Sequence, residues 1–136
     1  MARDIPTDET LLATIYRRHL KEFSNWSEEN KTRATKIWVP IDTEDLGKRF
    51  RCDPDLIFGR LYYHMNEKYA STTGTGQDVN FFNMRLGSDR HVVNFPLLTS
   101  VLADLQDERK KFIISTRLAA LSLVVSAISI GIAVLR

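Results

Sequence analysis

An α+β body followed by one membrane-spanning helix is the architecture that this sequence predicts, and three patterns predict it. Apolar residues recur at helical spacing in separate runs across the first half of the chain. Two β-rich runs flank Gly87-Ser88-Asp89-Arg90, as in a hairpin. Eighteen uncharged residues, Leu118 to Leu135, then precede Arg136. At about 1.5 Å of rise per residue, such a run covers roughly 27 Å, close to the thickness of bilayer hydrocarbon. The expected domains are a body over 1–106, a charged juxtamembrane collar over 107–111 and a transmembrane helix over 112–136.

The elements follow in order. Thr7-Asp8-Glu9 supplies a capping hydroxyl and acids for the positive end of a first helix. Leu11, Leu12, Ile15, Tyr16, Leu20 and Phe23, with Trp26 at the end, form its apolar stripe. Residues 27–35 are polar and read as a loop. Lys36 to Ile41 is short and β-rich, and Pro40 within it predicts an edge strand. Asp42-Thr43-Glu44-Asp45 caps a short helix ending near Phe50, with Leu46 and Phe50 inward. After a turn at Arg51-Cys52, Asp53-Pro54-Asp55 combines an N-cap, a first-position proline and a first-turn acid. The helix it opens runs to Tyr69 and turns Ile57, Phe58, Leu61, Tyr62, Met65 and Tyr69 inward. Ala70 to Asp78 reads as a flexible polar loop. Val79 to Leu86 and His91 to Phe95 read as the two strands of the hairpin. Pro96 starts a final helix through Leu97, Leu98, Val101, Leu102 and Leu105. With no glycine or proline before Gly131, that helix is expected to continue into the membrane segment.

A helix, a short strand, a short helix, a tight turn, a longer helix and a hairpin is an order that resembles the winged helix-turn-helix domain, over residues 7 to 105. The resemblance rests on the helix pair 42–50 and 53–69 and on the hairpin 79–95. It implies a small α+β domain of a kind that often binds DNA, with the second helix of the pair in the major groove and the hairpin on the backbone. The matching candidates for nucleic-acid contact are Arg60 and Lys68 on the long helix and Arg85 and Arg90 on the hairpin, with His64, Lys48, Arg49 and Arg51 nearby. Charge argues the other way. Residues 1–106 carry 14 Lys+Arg against 15 Asp+Glu, whereas phosphate binding normally leaves a basic footprint. Asp53 and Asp55 also stand at the helix end that would enter a groove. Use of the scaffold for protein contacts is therefore the favoured expectation.

The basic balance comes from the tail, where residues 107–136 carry 5 Lys+Arg against 2 Asp+Glu. Arg109, Lys110, Lys111 and Arg117 lie before the apolar run and are expected as membrane-interface anchors. The positive-inside rule then places the body in the cytoplasm, on a single-pass tail anchor. No apolar stretch follows Met1, so no cleavable secretory signal is expected. The single cysteine, Cys52, allows no internal disulfide. Arg49 and Arg51 are expected to lower its pKa slightly.

Motifs for chemistry are sparse. His19, His64 and His91 fall on different elements without metal-ligand spacing. Thr73-Gly74-Thr75-Gly76 lacks the Gly-Lys-Ser/Thr of a phosphate loop and follows a helix. Trp38, Tyr62, Tyr63, Tyr69 and Phe95 read as packing residues. No enzymatic activity, metal or cofactor is expected. The membrane segment carries the one clear pattern. Ser115, Ala119, Ser122, Ser126, Ser129 and Ala133 recur at spacings of four and three, a heptad seam of small residues. In lipid, small residues permit close backbone approach and hydroxyls bond between helices. Ala127 and Gly131 offer a competing small pair on an adjacent face, and Arg117 points away from the seam, toward the headgroups. The expected partners are the lipid bilayer, further copies of the chain and a protein not identified by sequence, with nucleic acid less favoured. The expected function is a membrane-anchored cytoplasmic interaction module that homo-oligomerises through the seam. Its alternatives are a small membrane-disrupting or pore-forming effector of the toxin or defence type, and a membrane-tethered DNA-binding regulator.

Overall fold

The computed structural model describes residues 5–136; the stretch Met1 to Asp4, to which the expectation about a secretory signal extends, lies outside the described residues. The chain divides into two compact units, the first closing at Leu102 and the second comprising Ala103–Arg136.

The first unit is built on α1 (Asp8–Asn25), whose N-cap Thr7 accepts from the Thr10 amide at 3.2 Å. Leu11, Leu12 and Ile15 are fully buried, whereas Leu20, at the rim of the predicted stripe, is 40% exposed. No basic residue occupies the last turn of α1. The buried Arg33 guanidinium reaches in from the following loop instead, donating to the Glu22 carbonyl at 3.3 Å and to that of Lys36 at 2.8 Å. The Trp26 indole N–H donates in turn to the Arg33 carbonyl at 3.2 Å. The polar loop is thus folded around one arginine, which occupies the negative end of the helix dipole.

β1 (Trp38–Pro40) pairs antiparallel with β5 (Asp89–Asn94), which pairs with β4 (Phe82–Leu86), in the order β1-β5-β4. Pro40 therefore sits on an edge strand, where a missing N–H is tolerated. β5 is central, and Val92 and Val93, which point to opposite faces, are both buried. The turn between β4 and β5 is only Gly87-Ser88, narrower than the predicted four residues, and Gly87 adopts φ 60°. His91 also lies at positive φ, 51°, where its carbonyl accepts from the Ile41 amide at 2.9 Å.

α2 (Thr43–Phe50) is capped by Asp42, which accepts from the amides of Glu44 at 2.9 Å and Asp45 at 3.1 Å. Arg51 ends it in the left-handed conformation. Gly47 is required here, because a Cβ would stand 2.9 Å from the Cys52 carbonyl oxygen. α3 (Pro54–Gly59) begins at its Asp53 cap and continues through a π-helical stretch, Arg60–Met65, into α4 (Asn66–Tyr69). The buried residues Ile57, Leu61 and Met65 recur every four positions. An α-helix drifts by about 40° at each such step, and a wider turn corrects that drift. The sequence reading of one regular helix misses this widening.

Two further expectations are corrected. Ala70 to Asp78 is a closed ribbon, not a flexible loop: β2 (Ser71–Thr72) pairs with β3 (Asp78–Val79), and the Thr73 amide donates to the Gln77 carbonyl at 2.8 Å. The predicted strand from Val79 to Leu86 is interrupted at Asn80-Phe81. The cause is Asn66, whose Oδ1 accepts from the Phe81 and Phe82 amides, each at 3.0 Å. α5 (Phe95–Leu135) starts one residue before the predicted Pro96, with the Asn94 side chain accepting from the Leu97 amide at 3.2 Å. Phe95 is buried and stacks on Phe23 at 4.7 Å and Tyr16 at 5.9 Å. Phe95, Leu98, Val101 and Leu102 complete the core.

Asn66→Ala removes one acceptor shared by two amides next to buried phenylalanines. A loss of about 2 kcal/mol is expected, read as a lower urea midpoint, with Asn66→Asp losing less because it keeps the acceptor.

Candidate functional site

Asp8 gathers most of the charge that the sequence places on the long helix. Its carboxylate is nearly buried in the first turn of α1. Arg60 pairs with Oδ1, while the His64 Nε2 and Lys68 Nζ lie 3.5 and 3.6 Å from Oδ2. The Tyr69 hydroxyl donates to the same oxygen at 2.8 Å. Arg60, His64 and Lys68 recur at four-residue spacing, like the apolar stripe, so the widened helix turns all three toward one carboxylate. Burial pushes the Asp8 carboxyl up, but the Tyr69 hydrogen bond and the charges of Arg60, His64 and Lys68 outweigh it. The group is held below the usual carboxylate range.

The four candidate nucleic-acid contacts thus separate into two pairs. Arg60 and Lys68 face Asp8. Arg85 and Arg90 sit directly opposite each other across β4 and β5, exposed, where like charges repel. Beside the Gly87-Ser88 turn, Asp89 accepts from the Ala34 amide at 2.9 Å, tying the tip of the hairpin to the loop after α1. The sequence reading finds the basic residues but misses Asp8, assigned there only to the helix dipole. The regular spacing of Arg60, His64 and Lys68 is the signal that points to a shared partner.

An open depression lies between α2 and α3, lined by Glu44, Gly47, Lys48, Arg51, Cys52 and Asp53 among others. Burial pushes the Cys52 thiol up, and the neighbouring Asp53 carboxylate adds to the shift. This corrects the expectation that Arg49 and Arg51 lower it. A protonated thiol is a poor nucleophile. Among the described residues no group of histidine, cysteine and carboxylate side chains is placed to hold a metal ion.

The second unit is helical up to Leu135, and α5 is the one helix among the described residues long and apolar enough to cross a membrane. None of its most apolar window is buried within the chain. All six seam residues, Ser115, Ala119, Ser122, Ser126, Ser129 and Ala133, are exposed. Their hydroxyls behave differently from expectation. Ser122, Ser126 and Ser129 donate to the carbonyls of Leu118, Ser122 and Val125 at 3.0, 2.8 and 2.9 Å. These protons are satisfied inside the helix, which leaves each oxygen as an acceptor and the seam defined by its small volume. In the collar, Lys111 pairs with Asp107 at 2.9 Å. Their hydrogen bond, with the mutual attraction of the charges, lowers the Asp107 pKa and raises that of Lys111.

Comparison with protein-family models, with curated proteins and with solved structures finds no match for this chain.

Because the folded state holds the Asp8 pKa down, the stability it contributes is present above the ordinary carboxylate value. That stability is lost as pH falls through the lowered folded value. Asp8→Asn is expected to cost about 2 kcal/mol at pH 7, as for hydrogen bonds to a charged group. Urea midpoints of the two proteins should converge toward pH 2.

Proposed function

We propose that this chain is a membrane-anchored interaction module, with a winged-helix-type body on the cytoplasmic side and a self-associating tail anchor. One observation carries the reading: α5 is long and apolar enough to cross a membrane, and among the described residues none of its most apolar window is buried. The order α1, β1, α2, α3 and the β4–β5 hairpin supports the winged-helix description. The basic side chains before the apolar run support the cytoplasmic placement of the body. Self-association is supported by the six small residues on one line of a helix that lipid alone would otherwise surround.

Protein is favoured over nucleic acid as the partner of the body, because Arg60 and Lys68 are engaged by Asp8. Held by that carboxylate, they offer a phosphate less than their number implies.

The serine geometry refines what drives association. With the hydroxyl protons bonded internally, close packing of small side chains provides the attraction. Crosslinking of the full chain in membranes should trap dimers or higher oligomers. Ser122→Leu with Ser126→Leu should weaken them by tenfold or more, while Ser122→Ala with Ser126→Ala should keep them. A monomer under every condition would contradict self-association. Equal loss in the alanine and leucine pairs would contradict packing as its cause.

A further inference from the structure

We propose that the outer edge of β4 is a docking site for an extended acidic segment of a partner protein, which joins the sheet as a further strand beside Met84 and Arg85. The proposal rests on the reading of the body as a protein-interaction module and adds the surface and the chemistry of what it takes.

In the order β1-β5-β4, β4 pairs with a strand on one side only. An edge strand presents main-chain N–H and C=O groups to which a second extended chain can bond. At its start this edge is occupied: the Phe82 amide donates to Asn66 Oδ1, and the Asn83 side chain accepts from that of Asn80 at 3.3 Å. Met84 and Arg85, the next two residues, are exposed. The opposite edge, β1, is three residues long and ends in Pro40, and so offers less to a ladder.

Charge selects the occupant. Arg85 and Arg90 stand exposed and directly opposite each other, where like charges repel. Within residues 82–94 the only carboxylate is Asp89. It is bonded to the Ala34 amide at 2.9 Å, and its charge acts on Arg33. A carboxylate on a strand added beside β4 falls opposite Arg85, on the face that Arg90 shares, and relieves the repulsion. A second copy of this chain is disfavoured there, because pairing two β4 edges brings the arginine pairs of two hairpins together.

The other face of the strand supplies an apolar contact. Side chains alternate along β4, so Met84 shares the face of Phe82, away from that of Arg85. Phe82 lies 6.0 Å from Phe58 and 6.1 Å from Tyr62, ring to ring. In the widened helix Tyr62 and Tyr63 both touch Phe58, at 5.4 and 6.2 Å. Tyr63 is 70% exposed and Met84 50%. An added strand has side chains on both faces: acids meet the arginines on one, and apolar residues meet Met84 and the tyrosine rim on the other. The segment that fits therefore alternates acidic with apolar residues.

The test is fluorescence anisotropy of a labelled peptide alternating glutamate with valine, added to the full chain in lipid nanodiscs. It should bind about tenfold more tightly than a peptide alternating lysine with valine, the order set by two exposed ion pairs. Arg85→Gln with Arg90→Gln should remove that preference, and Arg85→Glu with Arg90→Glu should reverse it. Lys110→Gln with Lys111→Gln, in the collar, should leave it unchanged. N-methylation of one alternate set of peptide amides should abolish binding and that of the other set should not, because only one set faces β4. No binding of the acidic peptide, equal binding of the two peptides, or indifference to both N-methyl sets overturns the added strand and leaves the anchored module standing. Tighter binding of single-stranded oligothymidylate, lost in the same arginine variant, overturns the added strand and the preference for a protein partner together.

Discussion

Ten leucine, isoleucine and valine side chains between Leu118 and Leu135 stand on a helix none of whose most apolar window is buried in the chain. Water is a poor solvent for that surface. Each such residue favours the centre of a bilayer by about 0.3–0.6 kcal/mol on an insertion scale, so ten supply about 3–6 kcal/mol. Helical hydrogen bonding satisfies the backbone internally, as a spanning segment requires. The serines meet the same requirement by donating to carbonyls one turn back. Arg117 stands at the edge of the apolar run, where its long side chain can reach the headgroups. The polar features of the segment are thus compatible with lipid.

In the body a second constraint, that buried charge be paired, governs α1, although the Nε atoms of Arg33 and Arg60 and the Nδ1 of His91 are buried without a hydrogen bond. Among the described residues Asp8 and Arg33 are the two buried charged side chains, and they are of opposite sign. Arg33 is taken up by backbone carbonyls at the end of α1 and by the ring of Phe23. Asp8 is taken up by Arg60, His64, Lys68 and Tyr69 at the other end of the same helix. α1 is thereby fixed at both ends by side chains from elsewhere in the fold. The compensation also keeps the near-neutral charge of the body from becoming a basic face on the long helix. Arg85 and Arg90, by contrast, stand exposed and opposite each other on the hairpin.

The features legible in the sequence are those decided within a few residues. Thr7, Asp42 and Asp53 cap the helices that their spacing predicts, because capping involves amides two or three positions away. The apolar stripes place Leu11, Ile15, Ile57, Leu61 and Met65 in the core. The parts that escape the sequence depend on distant partners. Asn66 interrupts a strand fifteen residues away, and Asp8 collects side chains 52 to 61 positions away. Cys52 shifts upward because burial and Asp53 prevail over the arginines near it in sequence. In the apolar stretch of α5 the line of small residues is readable from spacing. The internal bonding of the serines is also local, and it is visible only once hydroxyl rotamers are fixed.

The central claim is that the apolar stretch of α5 lies in lipid. Amide hydrogen exchange of the full chain in lipid nanodiscs tests it most directly. Amides of residues 118–135, out of reach of water, should remain unexchanged for hours or longer, while those of the exposed loop at 27–32 exchange within seconds to minutes. Exchange of 118–135 on the time scale of that loop, with lipid present, would contradict a membrane-spanning α5.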